Sequence, residues 1–353
     1  MDLLELQRLI KNWDLTQGPD LEPGLASQYQ AIYDRLQWFS DNDWRNYLPT
    51  KNPAFNADYM VRLAKWMGNV KTDEERQLLL KYARRITYFS QDDMEALYQT
   101  AFTGPITQWI IEKEKLSLLD PKFQIRLQEE LHTLTWYCPV TDSMKIADFL
   151  HINLITENYR PCFRDHYHFK SPEEVDGTIA KFKKYMSKPN SSAGAPSLKR
   201  LVLLDDFVGS GTQVTGPIKW AAQNLNVPIL FIPLVICAPG LSKINDLRKD
   251  LPNLDVSPII VLSEENLLGP KRRGKEGIEI AAEIEKLANS TFGLVAGSTH
   301  TDKNTSPYTA FGYQETGATY VSHSNTPNNT LPLVHHKSVT GNWQPLFPRS
   351  KRA

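Results

Sequence analysis

Cysteine is scarce in this chain: Cys138, Cys162 and Cys237 are its only three. They are too few and too scattered for a disulfide framework, and a reducing cytoplasm is the expected setting. Net charge is also missing, since 40 Lys and Arg are offset by 40 Asp and Glu. No overall field therefore draws in nucleic acid, and any such contact must be a local patch. No apolar run approaches the ~20 residues that a bilayer-spanning helix needs. The N-terminus, MDLLELQRLIKNW, is amphipathic and lacks the basic start and apolar block of a signal peptide. A membrane partner is not expected. No internal repeat is visible. What remains, 41% hydrophobic and 23% charged residues over 353 positions, is ordinary globular composition with enough chain for more than one domain.

Residues 1–118 read as helical throughout. LLELQRLIKNW, SQYQAIYDRLQWF, ADYMVRLAKWMGNV and DEERQLLLKYARRITYF repeat apolar residues every three or four positions. SQDDMEALYQTAF adds a capping signature at Ser90. Trp13, Trp38, Trp44, Trp66 and Trp109 fall in this region and read as core and docking residues rather than a base-stacking platform. From about residue 119 strands alternate with helices. LHTLTWYCPV, RLVLLDD, VPILFIPLVICA and SPIIVLSEE are strand candidates, with FGLVAG and GATYVSHS as shorter ones. TDSMKIADFLHINL, TGPIKWAAQNL and KEGIEIAAEIEKLA are helix candidates. The alternation predicts a mostly parallel sheet whose ligands bind at the carboxyl ends of strands.

One segment carries chemistry on its face: RLVLLDDFVGSGTQ, residues 200–213. Leu201–Leu204 is the continuous apolar run of a strand covered on both faces. Asp205 and Asp206 end the run, Gly209 and Gly211 allow a tight turn, and Ser210 and Thr212 place hydroxyls where a helix would start. Hydroxyls, backbone N–H groups and a positive helix end can converge there on a phosphate. Two acids beside an anion site make sense if the ligand carries a sugar diol as well as phosphate, with a divalent cation as a further participant. A nucleoside-triphosphate P-loop requires lysine after its last glycine. Thr212 and Gln213 stand there instead, which excludes it. An ordinary strand–turn–helix with no ligand remains the alternative.

Three other clusters stand out. YRPCFRDHYHFK places Arg160, Cys162, Arg164, His166 and His168 close together. The C-x3-H-x-H spacing suggests zinc, yet no second Cys/His pair completes a four-ligand site; a basic loop or plain surface decoration fits better. GPKRRGKEG gathers Lys271, Arg272, Arg273 and Lys275, either to close over phosphates or nucleic acid, or as a solvated loop. The C-terminal run FGYQETGATYVSHSNTPNNTLPLVHH is rich in amides and aromatics. It suits hydrogen bonding to a base edge or a partner through Phe311, Tyr313, Asn325, Asn328 and Asn329.

LVLLDDFVGSGTQ resembles the 5-phosphoribosyl-1-pyrophosphate (PRPP) motif of type I phosphoribosyltransferases. The resemblance implies that Asp205 and Asp206 hold the ribose 2′- and 3′-hydroxyls, with Mg2+, and that Val208, Gly209, Ser210, Gly211, Thr212 and Gln213 wrap the 5′-phosphate. Gly209 and Gln213 depart from the pattern of several such enzymes, which carry an acidic or hydroxyl residue and a threonine there. An earlier strand–loop–helix unit supplies the pyrophosphate loop in these enzymes. CPVTDSMK holds that place, which assigns Thr141, Asp142, Ser143 and Lys145 to it; a simple helix N-cap is the competing reading. Together with FGYQETGA, NTPNNTLPL and WQPLFPR behind a helical N-terminal region, the motif resembles the PRTase-CE group, phosphoribosyltransferase-like effectors of bacterial conflict systems, some encoded beside retron reverse transcriptases.

The periodicity assigns a helical region to 1–118, and the resemblance, which covers roughly residues 85–350, implies a type I phosphoribosyltransferase-like α/β domain over 119–353. It also implies a cytoplasmic antiphage toxin acting at ribose C1′, with a reverse transcriptase and its nucleic acid as partners. A catalytically silent PRPP- or nucleotide-binding module that gates partner assembly is the second function class. A nucleic-acid adaptor using Lys271–Lys275 is a third.

Overall fold

The computed structural model describes residues 1–16, 28–44, 47, 58–155, 199–271, 280–296, 308–336, 338, 341 and 343–349. Two compact units emerge, and they do not divide at 118/119. One unit combines Met1–Asp92 with Ser263–Ala353; the other is the continuous stretch Asp93–Leu262.

The first unit contains helices α1 (Leu3–Thr16), α2 (Gln28–Asn42), α3 (Tyr59–Met67) and α4 (Asp73–Ala83). Thr72 and Glu75 close the start of α4 as a reciprocal capping box. The N-terminal region is not helical throughout, because β1 (Thr87–Phe89) follows α4 and pairs in parallel with β7 (Tyr320–Ser322). α11 (Ala281–Ala296) and the short α12 (Pro332–His335) belong to the same unit. FGLVAG, expected as a strand, lies mostly within α11. A short apolar run looks alike in a buried strand and on the buried side of a helix, so its pattern does not separate the two. Trp13, Trp44 and Trp66 are buried here and Trp38 is exposed, so most of these indoles serve the core. The Trp66 indole donates to the Leu333 carbonyl, Arg62 to that of Leu346 and the Tyr47 hydroxyl to that of Pro348. Chain segments more than 250 residues apart are thereby joined.

The second unit is an α/β layer structure. α5 (Gln91–Ala101, its first turn crossing the unit boundary), a π-helical turn (Phe102–Ile106), α6 (Thr107–Glu114) and α7 (Phe123–His132) precede β2 (Thr135–Pro139) and α8 (Ile146–Ile152). Then come β3 (Arg200–Val208), α9 (Thr212–Asn224), β4 (Ile229–Cys237), α10 (Ala238–Lys249), β5 (Leu254–Val256) and β6 (Ile260–Leu262). The sheet order is β2-β3-β4-β5, all parallel, with β6 also pairing β4 beyond the place where β5 stops.

β3 and β4 are apolar on both faces because both are covered. Leu201, Leu203, Trp136 and Cys138 pack with Val214 and Ile218 of α9 and Ile244 of α10. On the other face Tyr137 meets Phe102 and Phe149. At the amino end of β3, the buried Arg200 guanidinium pairs with Glu114 and with Glu130 at 2.7 Å. That buried ion group sits at the end of the strand away from its acids.

Candidate functional site

β3 does not stop at its acids. Phe207 and Val208 still pair with Val235 and Ile236 of β4, so Asp205 and Asp206 lie within the strand near its carboxyl end. Neighbouring residues on a strand face opposite sides of the sheet, and the two carboxyls have different surroundings. Asp205 is only 1% exposed and accepts a hydrogen bond from the Thr141 hydroxyl at 2.5 Å. Thr141 is also within 2.8 Å of the Ser143 hydroxyl. Asp206 is half-buried and adds its negative charge to the surroundings of Tyr98. Burial first, and then the Asp206 charge, hold the Tyr98 phenol above its ordinary pKa, so it stays protonated at neutral pH.

Thr141 and Ser143 are not helix caps. α8 starts only at Ile146, with Lys145 in the cap position and no side chain closing it. Thr141 lies four positions before that cap, and its hydroxyl is engaged instead with Asp205 on the neighbouring strand. The loop 140–145 is thus fastened to the acid it was expected to accompany. Val140 strengthens the link, its N–H donating to the Leu204 carbonyl at 2.8 Å.

The turn after β3 is shaped by Gly211, whose φ of +76° lies in the left-handed region that glycine enters without a Cβ penalty. Gly209 is not left-handed. Gly211 caps α9 with no side-chain bond of its own. A second glycine, Gly240, makes the turn possible from below: a Cβ there would meet the Gly209 carbonyl oxygen at 2.5 Å and Val208 at 3.2 Å. The first turn of α10 therefore lies directly against the 208–211 backbone. From that helix, Lys243 reaches the Thr212 hydroxyl at 3.0 Å. Ser210 donates to the same oxygen at 3.2 Å, and the Thr215 hydroxyl donates to the Gly211 carbonyl at 2.7 Å. Gln213 is exposed on the first turn of α9.

Strand-to-helix turns of adjacent parallel strands thus come together, with carboxylates beside them. The PRTase-CE family model matches residues 63–349, most of the chain. The chain belongs to the PRTase-CE family. No curated protein matches it. The PRTase-CE match spans residues of both compact units, so the family is defined by more than the α/β sheet.

Among the sequence-derived candidates of this PRTase-CE chain, Thr141, Ser143 and Asp205 are brought into contact, and Ser210 and Thr212 form the mouth of the turn. Asp142 is exposed beside them and Lys145 lies just beyond. Phe311, Tyr313, Asn325, Asn328 and Asn329 belong to the other unit. The Asn329 amide donates to the Tyr313 carbonyl and the Thr316 hydroxyl, and the Tyr313 N–H to the Asn328 carbonyl. Those amides brace their own loops. Cys162, His166 and His168, together with Arg272, Arg273 and Lys275, lie outside the described residues.

Lys243 and Gly240 escaped the sequence reading. The only signal was A-P-G at the end of a buried strand, a proline and a glycine opening a helix beside the motif. Among the described residues, no group of three or more His, Cys, Asp and Glu side chains is placed to hold a metal. A magnesium ion held by one or two carboxylates and completed by phosphate oxygens needs no such group, and of the two acids only the half-buried Asp206 is open to such an ion, Asp205 being enclosed and engaged by Thr141.

Proposed function

We propose that this protein binds PRPP or a related phosphoribosyl nucleotide with Mg2+ and makes or breaks a bond at ribose C1′. The observation that supports this best is the Thr141–Asp205 hydrogen bond, which draws the 140–145 loop and the β3 acids to one place beside the 209–212 turn. The turn and the start of α9 take the 5′-phosphate. Asp206, the more accessible acid, accepts the ribose hydroxyls, while Asp205 holds the 140–145 loop in position for the pyrophosphate. The metal supplies neutralisation of the pyrophosphate charge. The chain's own work is to fix the sugar and to set negative charge near the carbon where oxocarbenium-like character develops. By family resemblance, the reaction serves antiphage defence, with a reverse transcriptase and its nucleic acid as partners.

The test is thermal unfolding of the full chain with PRPP and MgCl2, coupled to phosphorus NMR of the ligand. Saturation at about 100 times Kd stabilises the bound form by about 2.7 kcal/mol, and Asp206→Asn is expected to abolish the shift. An unshifted wild-type transition at millimolar PRPP defeats the proposal. The departures at Gly209 and Gln213 favour a second reading, a silent PRPP- or nucleotide-binding module that gates partner assembly. There the shift persists while PRPP is neither consumed nor transferred.

A further inference from the structure

We infer that Lys243 is a binding residue for the 5′-phosphate, so that the pocket selects 5′-phosphorylated ribosyl ligands over their unphosphorylated counterparts. This rests on the reading of the 209–212 turn given above and adds a residue to it from a different element.

The argument begins with the Thr212 hydroxyl. A hydroxyl has two acceptor positions and one donor hydrogen. Ser210 and Lys243 both donate to this oxygen, so both acceptor positions are filled. The Thr212 hydrogen is then left to donate, and no described residue takes it. The Ser210 oxygen receives the Thr212 backbone N–H at 3.5 Å, at the start of α9. A hydroxyl locked as a donor beside an ammonium group and a helix N-terminus is matched to an anion with several acceptor oxygens, such as a phosphate dianion.

The backbone sets where the Lys243 side chain begins. An added Cβ on Gly211 would lie 3.2 Å from the Gly240 carbonyl oxygen and 3.5 Å from the Lys243 Cβ. The lysine stem therefore starts against the turn itself. Lys243 is exposed, and of its helix neighbours Lys249 already pairs with Asp246, and Arg248 with Asp255 of β5. Lys243 has no carboxylate partner among the described residues; its partner there is the Thr212 hydroxyl.

The experiment is calorimetric titration of the full chain, wild type and Lys243→Gln, with ribose 5-phosphate, ribose and inorganic phosphate. Lys243→Arg serves as the conservative control. Lys243→Gln is expected to weaken ribose 5-phosphate binding about tenfold at low salt, with the loss shrinking as ionic strength rises, and Lys243→Arg to retain most of the affinity. Circular dichroism should show both variants folded, because the side chain is exposed. Equal affinity of wild type and Lys243→Gln for ribose 5-phosphate overturns the inference and leaves the phosphoribosyl reading standing. Lys243-dependent binding of inorganic phosphate with no gain from the ribose overturns the phosphoribosyl reading while the phosphate role of Lys243 survives. Absence of binding by all three probes overturns both.

Discussion

Thr141→Val removes one oxygen with little change in volume and strikes the bond that joins the 140–145 loop to β3. Asp205 is 1% exposed and its Oδ1 takes the Thr141 hydroxyl at 2.5 Å. A hydrogen bond to a charged group contributes about 1.5–3 kcal/mol, and a buried carboxylate that loses a donor keeps its desolvation cost. For a unit of this size each kcal/mol moves Tm by about 2–4 °C, so the Tm of the α/β unit should fall by about 3–12 °C. Tryptophan fluorescence in urea can follow it, because Trp109 and Trp136 are buried in that unit. Thr141→Ser keeps the donor and should lose much less. The decisive measurement is the double-mutant cycle with Asp205→Asn. The two residues touch, so their effects should fall short of additivity by about 1–2 kcal/mol. Additive losses within about 0.3 kcal/mol would show that the bond holds nothing, and the assembly of the site from two turns would have to be abandoned.

Gly240→Ala should disturb the 208–211 turn and weaken ribose 5-phosphate binding more than tenfold, since the added methyl carbon meets the Gly209 carbonyl at 2.5 Å; calorimetry with an otherwise folded variant checks it. Gly317→Ala places a side chain into the Leu268 backbone at a φ of +62°. It should cost several kcal/mol in urea unfolding of the first unit and leave ligand binding in the second unchanged. His335 is buried, and burial first, then the charges of Arg349 and His336, push its pKa down from 6.5 to about 3. The unfolded chain therefore takes up the proton first, and the stability contributed by this neutral histidine is full above about pH 6.5 and lost as pH falls toward 3. His335→Gln should flatten that part of the stability–pH profile; an unchanged slope refutes the assignment. The Cys237 thiol is buried and pushed up to about 12. It should resist alkylation at neutral pH in the native protein and react on unfolding, as mass spectrometry would reveal.

The strand–turn–helix at 200–213 was legible because Leu201–Leu204 are continuous, Gly211 must turn left-handed, and a parallel strand leaves few other readings. Its extent was less so: Phe207 and Val208 join the strand only because β4 offers Val235 and Ile236 opposite them. Thr141, Asp142 and Ser143 were ambiguous for a reason of chemistry. The same residue types cap helices and bind anions, and only the nearness of Asp205, 64 positions later, decides what Thr141 does. Lys243 left no local trace, since its partner Thr212 lies 31 residues away on another helix. The division of the chain was hidden for the same reason. Pairing of Thr87 with Tyr320 is a long-range event to which neither three-residue strand contributes a strong signal of its own.

That pairing has a consequence for the order in which the protein is made. Domains fold as units during synthesis, and the α/β unit is complete once Leu262 has left the ribosome. Its companion is not: β1 waits for Tyr320, Trp66 for Leu333, and Tyr47 for Pro348. For more than 200 residues of elongation, helices α1 to α4 carry apolar faces whose later partners do not yet exist. During that interval the nascent chain would carry a folded α/β unit and an unfinished helical one, and chaperones would have work only on the second.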